Sequence, residues 1–234
     1  MLDRTEKSPE PFAEREARIL DAAAELVQRW GYKKTTIEDI AQRAEVGKGT
    51  IYLHWKTREE LFIALLLRER LRAINEAEQR LAEDPEGANL HTAVKYFTLA
   101  VLTNPLLRAA IQQDNAVWSE LMRTKFVLAD TAQRMAAGRL GLERLREQGR
   151  VRDDEGLDDQ VAMLGAISTG FMVLNQYLPE EKRLSAEAVV NLLATVIHRT
   201  FEIQASPEEE PGESRPLFHD LFDQAREWSR KKVE

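Results

Sequence analysis

The chain has 234 residues, 43% hydrophobic and 31% charged, with a formal net charge of −7, which is enough apolar residue to build the core of one large or two modest domains. It contains no cysteine, which excludes disulfides and thiolate metal sites and is compatible with a reducing cytosol. The first residues are polar without an apolar signal core, and no uninterrupted apolar run approaches the about 20 residues of a membrane span, so a soluble, cytoplasmic protein with no membrane partner is expected.

Residues 1–12 read as a disordered arm, because Pro9 and Pro11 break any helix. A first helix is predicted from Phe12 or Ala13 to Trp30, where Ile19, Ala23, Leu26, Val27 and Trp30 form an apolar stripe and Gly31 follows as a C-cap. Next comes Thr35–Lys56, TTIEDIAQRAEVGKGTIYLHWK. Thr35 and Thr36 each have an acid three residues on, Glu38 or Asp39, which is the capping-box spacing. Ile37, Ile40, Ala41 and Ala44 then share one helical face. Glu45–Gly49 interrupts that pattern with two glycines, and Thr50–Trp55 resumes it, with Ile51 and Trp55 turned inward. Two short helices across such a turn form a helix-turn-helix. The outer face of the second carries Lys48, Thr50, Tyr52, Leu53 and His54, a basic, hydroxylic and aromatic surface that suits the DNA major groove.

Charge supports that reading locally. Gln28–Arg58 holds seven bases against three acids, a net +4, whereas Glu59 onward holds 22 bases against 30 acids, a net −8. The sign at the motif attracts phosphate, while the acidic remainder disfavours indiscriminate binding. Each candidate contact has a chemical reason. The amides at the start of the second helix, with the Thr36 hydroxyl, form an anion site. Lys48 reaches a base edge or a phosphate, and Gly49 lets the backbone come close. Thr50 meets a thymine methyl or a phosphate. Tyr52 and Leu53 point away from the apolar face. Lys56 and Arg58 suit phosphates better than bases.

Residues 17–62 strongly resemble the DNA-binding domain of TetR-family transcriptional regulators. The matching segments are ILDAAAELVQRWGY and TTIEDIAQRAEVGKGTIYLHWKTREELF, about a fifth of the chain. The Tyr-x-His-Trp-Lys run followed by a capped helix is their most specific part. The resemblance implies that His54, read as facing outward, contacts a phosphate. It also implies that the rest of the chain is a divergent helical ligand domain.

Thr57–Glu60 is another capping box and opens a long helix to about Ala82, before Asp84-Pro85 stops it. That helix leaves the DNA-binding domain, and the family implies that it transmits motion from a second one. Further helices are predicted over Leu90–Leu102, Pro105–Gln113, Asn115–Gln148, Leu157–Leu178 and Leu184–Gln204, with a charged loop at Val151–Gly156. Small residues at helical spacing (Ala162, Gly165, Ala166, Thr169), together with Leu192 and Val196, suggest a helix pair that meets its symmetry mate as a four-helix bundle. A small-molecule pocket is expected among Tyr96, Phe97, Trp118, Leu121, Met122, Phe126, Phe171, Met172, Asn175 and Gln176, which offer aromatic, flexible apolar and amide groups. The expected effector is uncharged or weakly polar and partly aromatic. Residues 206–215 form an acidic linker, and 216–234 an amphipathic C-terminal helix.

The architecture expected is therefore all-α. A helix-turn-helix domain at 13–58 precedes a helical ligand-binding and dimerisation domain at 59–205. His54, His91, His198 and His219 read as scattered, without carboxylates at metal-ligand intervals. No GxSxG, GxGxxG or P-loop is present. No catalytic residue, cofactor or metal is predicted. The function expected is that of a homodimeric repressor that binds a palindromic DNA operator and is released by a small-molecule effector. The alternative is a helical binding protein or enzyme whose N-terminal unit only mediates protein contacts.

Overall fold

The computed structural model describes residues 11–85, 87, 89–112, 125–203, 223 and 227. The arm at 1–10, the linker at 206–215 and nearly all of the predicted C-terminal helix lie outside these residues. Among the described residues there are nine α-helices and no strand: α1 Phe12–Trp30, α2 Ile37–Arg43, α3 Lys48–His54, α4 Arg58–Glu83, α5 Leu90–Thr103, α6 Pro105–Gln112, α7 Lys125–Glu147, α8 Leu157–Leu174 and α9 Ala186–Phe201. The chain divides into two compact units, residues 1–66 and 67–234, and the division falls inside α4.

In the first unit, α1 packs on α2 and α2 on α3. Ile19, Ala23, Leu26, Ile40, Ile51, Leu61 and Phe62 are almost wholly buried. Each large side chain removed from water this way contributes about 1.5–3 kcal/mol, which gives these short helices the stability that their length denies them. Thr36 caps α2: its hydroxyl accepts from the Asp39 N–H at 3.2 Å, and the Asp39 carboxylate accepts from the Thr36 N–H at 3.0 Å. Thr35, the other candidate, is fully buried and donates instead to the Gly31 carbonyl at 3.0 Å. The turn between α2 and α3 passes through the left-handed region at Glu45, with φ 53°, rather than at either glycine. Thr57 opens α4 by accepting from the Glu60 N–H at 3.1 Å, while the Glu60 carboxylate accepts from the Lys56 N–H at 2.7 Å.

In the second unit, α9 packs along α5 and against α8, and α7 packs on α8. Leu142, Leu145, Val161, Leu193, Ile197 and Phe201 centre its main core. Ser185 caps α9 by accepting from the Ala188 N–H at 3.2 Å, so this cap is complete without an acid three residues on. The helix predicted to run to Leu178 stops at Leu174 and tightens into a 3-10 turn over Asn175–Tyr177. The cause is Asn175, whose side-chain amide exchanges two 2.9 Å hydrogen bonds with the Leu184 backbone. By length and composition Leu157–Tyr177 is apolar enough to cross a bilayer, although polar residues interrupt every apolar run within it.

Candidate nucleic-acid interface

Helix α3 presents two different sides. Ile51 is fully buried and Trp55 nearly so, while Tyr52 is 44% and Leu53 75% exposed. Lys48 and Gly49 are exposed beside them, and Thr50 is half-buried, its backbone N–H donating to the Gly47 carbonyl at 2.9 Å. A Cβ at Gly49 would meet nothing within 4 Å, so the glycine leaves an open approach to the backbone. Lys56 and, on the turn before α2, Lys33 and Lys34 are also exposed. Lys48 pairs with Glu38 on α2. That hydrogen bond raises the pKa of Lys48 and lowers that of Glu38, so the amine is charged and held in place but must exchange its carboxylate to reach a phosphate. At the start of α2, the Asp39 carboxylate already takes the Thr36 N–H.

Two expected contacts are placed differently. His54 does not face outward: it is half-buried, stacked on Phe12 of α1 with ring centroids 3.9 Å apart, and its Nε2 accepts from Arg15 Nε at 3.2 Å. Its buried Nδ1 has no hydrogen-bond partner among the described residues. Desolvation and the nearby Arg15 charge hold its pKa below 6.5. The physical reason is that α3 ends here: Trp55 turns extended, with φ −135°, and α1 covers the last turn. Arg58 is likewise engaged within the fold. Its guanidinium donates to the Tyr32 and Thr35 carbonyls, the latter at 3.1 and 3.3 Å, and lies 4.0 Å from the Tyr32 ring centroid and 4.7 Å from that of Phe62. The planar cation thus ties the α1–α2 turn to the start of α4.

The second unit holds a cleft of about 310 Å³ lined by Leu102, Pro105, Arg108, Ala109, Phe171, Met172, Asn175, Leu184, Ala186 and Val189. Phe171, Met172 and Asn175 of the expected pocket meet there; Gln176 is half-buried nearby but does not line the cleft. Tyr96 and Phe97 are elsewhere. Tyr96 donates to Asp84, which with burial pushes its pKa to about 12, and both rings pack on the Ala73, Ala77 and Ala100 core. Trp118, Leu121, Met122 and the side chain of Phe126 lie outside the described residues. Arg108 at the cleft was not foreseen. On α8 and α9, Ala162, Gly165, Ala166, Thr169 and Leu192 are exposed and Val196 is half-buried.

The histidines are not all scattered. His91, at the start of α5, and His198 of α9 both bring Nδ1 to 2.7 Å from the same oxygen of Glu202. Burial alone would push the Glu202 carboxyl up, but hydrogen bonds from both imidazoles and from the His91 backbone N–H outweigh it and lower its pKa. The one-turn spacing of His198 and Glu202 was visible in the sequence; His91, 111 residues before Glu202, is brought in by packing.

A capped helix, a tight turn and a second helix with a polar outer side, joined to a separate helical unit, define a helix-turn-helix DNA-binding regulator. Residues 19–65 match the family described as "Bacterial regulatory proteins, tetR family". The chain is 27% identical over 190 residues to the HTH-type transcriptional repressor KstR of Rhodococcus jostii (strain RHA1), covering 79% of this chain and 81% of that protein. It is 30% identical over 132 residues to KstR of Mycolicibacterium smegmatis, covering 56% and 60%. Its fold is similar to that of a TetR-family transcriptional regulator from Rhodococcus sp., with a TM-score of 0.60 at 20% identity over 80% of this chain and 98% of that one. Residues 19–65 thus carry the TetR-family segment, and the relatives matched along most of this chain are named as transcriptional regulators.

Proposed function

We propose that the protein is a homodimeric repressor that grips a palindromic operator through α3 and lets go when a small molecule enters the cleft of the second unit. The observation that carries this reading is the division of α3 into a buried side, Ile51 and Trp55, and an exposed one, Lys48, Gly49, Tyr52 and Leu53. The contacts proposed are Lys48, Gly49, Thr50, Tyr52 and Leu53 at the groove, with Thr36 and Lys56 at phosphates. One seven-residue helix reads too few bases for useful specificity. A two-fold assembly doubles the site, with half-sites about 34–36 Å apart or a multiple of that.

The exposed small residues of α8 and the exposed Leu192 of α9 support self-association, since small side chains let a second helix approach closely. The cleft supports an effector with an apolar body. Arg108 favours an anionic or hydrogen-bond-accepting end on it, which revises the uncharged molecule expected from sequence. Release follows only if the effector prefers the conformation that binds DNA less well.

Fluorescence anisotropy with palindromic duplexes from the protein's own promoter region tests the reading. Tight binding that weakens steeply with salt, and that Tyr52→Ala and Lys48→Ala reduce, is the expected result. Binding that ignores both substitutions would sink it.

A further inference from the structure

The cluster at His91, His198 and Glu202 has a chemistry of its own, separate from DNA reading. Its three potential ligand atoms lie within 4.8 Å of one another. The two imidazole rings stand edge to face, with centroids 5.1 Å apart. The Glu202 side chain is 8% exposed and that of His91 16%. Glu202 Oε1 accepts from the His91 backbone N–H at 2.8 Å, which fixes the carboxylate and leaves Oε2 to both rings.

At 2.7 Å from a carboxylate oxygen, each Nδ1 must carry its proton, because two lone pairs would repel at that distance. Exchange those protons for one ion and three donor atoms lie close enough together to share it. Two imidazole nitrogens and one carboxylate oxygen suit a borderline divalent transition metal and not a hard ion that demands oxygen alone. Bonds of about 2.0–2.2 Å in tetrahedral geometry need donors roughly 3.3 Å apart. The rings therefore have to withdraw by about half an ångström, a movement open to His198, whose side chain is 47% exposed. A backbone N–H on the second carboxylate oxygen is the outer support that ligating carboxylates have. The remaining coordination position has access to solvent, since His198 and Glu202 line a surface cleft of about 640 Å³ with Asp153 and Asp154.

We propose that His91, His198 and Glu202 form a binding site for a divalent transition metal of the Zn2+ class, which joins the start of α5 to the end of α9. The ion needs both helices in place, so it binds the folded unit in preference to the unfolded chain. The loop before α8 is held at the same corner: Arg152 N–H donates to the Phe201 carbonyl at 2.8 Å and Ile203 N–H to the Arg150 carbonyl at 3.1 Å.

Titrating the chelator-treated full-length protein with Co2+ and Zn2+ tests the site. The expected result is one equivalent of Co2+ per chain, with the visible absorption of low-coordinate cobalt that Zn2+ displaces, and a melting temperature that Zn2+ raises and Mg2+ does not. His198→Asn and Glu202→Gln, each shown by circular dichroism to be folded, are expected to weaken binding by more than roughly a hundredfold, beyond the range of outer-shell changes. Glu202→Gln keeps a hydrogen-bond acceptor for the imidazoles, so it separates loss of the metal from loss of the staple. Absence of saturable binding to the unsubstituted protein overturns the proposal. So does binding that survives both substitutions.

Discussion

Asn104 is bonded to Glu69 and to the start of α6 at once. Its side-chain N–H donates to Glu69 Oε2 at 2.9 Å, and its Oδ1 accepts from the N–H groups of Leu106 and Leu107 at 3.0 and 3.1 Å. Glu69 is 5% exposed and also accepts from Arg68 and Arg72. Asn104→Ala removes a helix cap and one partner of a buried carboxylate together. The expected loss is about 1–3 kcal/mol, read as a lower denaturation midpoint. Asn104→Asp keeps the cap but sets a second carboxylate against Glu69, so it is expected not to restore the wild-type midpoint.

Gly49→Ala and Arg58→Ala separate DNA reading from folding. A methyl at Gly49 meets no protein atom and raises helix propensity by up to about 1 kcal/mol. The midpoint is therefore expected to hold or rise while operator affinity falls by tenfold or more, roughly 1.4 kcal/mol. Arg58→Ala is expected to do the reverse, costing about 2–3 kcal/mol of stability through the lost carbonyl bonds and ring stacking. Arg58→Lys is not expected to rescue it, because an ammonium lacks the planar fork. Denaturant titration beside anisotropy reads both.

His54 gives the first unit an acid sensitivity. Its folded-state pKa lies below 6.5, through burial and then the Arg15 charge, so the unfolded chain binds the proton more readily than the folded one. By linkage, the stability from the neutral ring is complete above pH 6.5 and is lost as pH falls through the folded-state value. His54→Phe keeps a ring on Phe12 and removes the titration. Midpoints measured across this range are expected to fall more steeply with acid in the wild type than in the variant; parallel curves would contradict this.

The proposed dimer surface can be tested without harming the monomer. Leu192 is 49% exposed in the single chain, and a Cβ at Gly165 meets nothing within 4 Å. Leu192→Arg and Gly165→Arg are expected to give folded monomers by sedimentation velocity, with operator binding lost. A variant that stays dimeric would move the interface away from α8 and α9.

The helix-turn-helix was readable because its signals are local. Thr36 with Asp39, the break after Ala44, and Ile51 four residues before Trp55 need only a few neighbouring residues to interpret. What escaped depends on residues distant in sequence. His54 lies on the outer arc of an ideal helix, yet α3 ends beside it and Phe12 arrives from 42 positions earlier. Arg58 looked like a phosphate ligand until the turn at Tyr32 and Thr35 folded onto it. Asn175 does line the cleft, but its side-chain amide is already bonded at both ends to the Leu184 backbone, a partner nine residues on. His198 and Glu202 carried a visible one-turn spacing, and only the packing of α9 on α5 shows what completes it.

Arg58 also sets how a pull on α4 is felt. It is the first residue of that helix, and it grips the chain immediately before the cap of α2. Thr35 and Thr36 are neighbours in the chain, so whatever repositions the guanidinium is expected to reach the α2 cap through a single peptide unit.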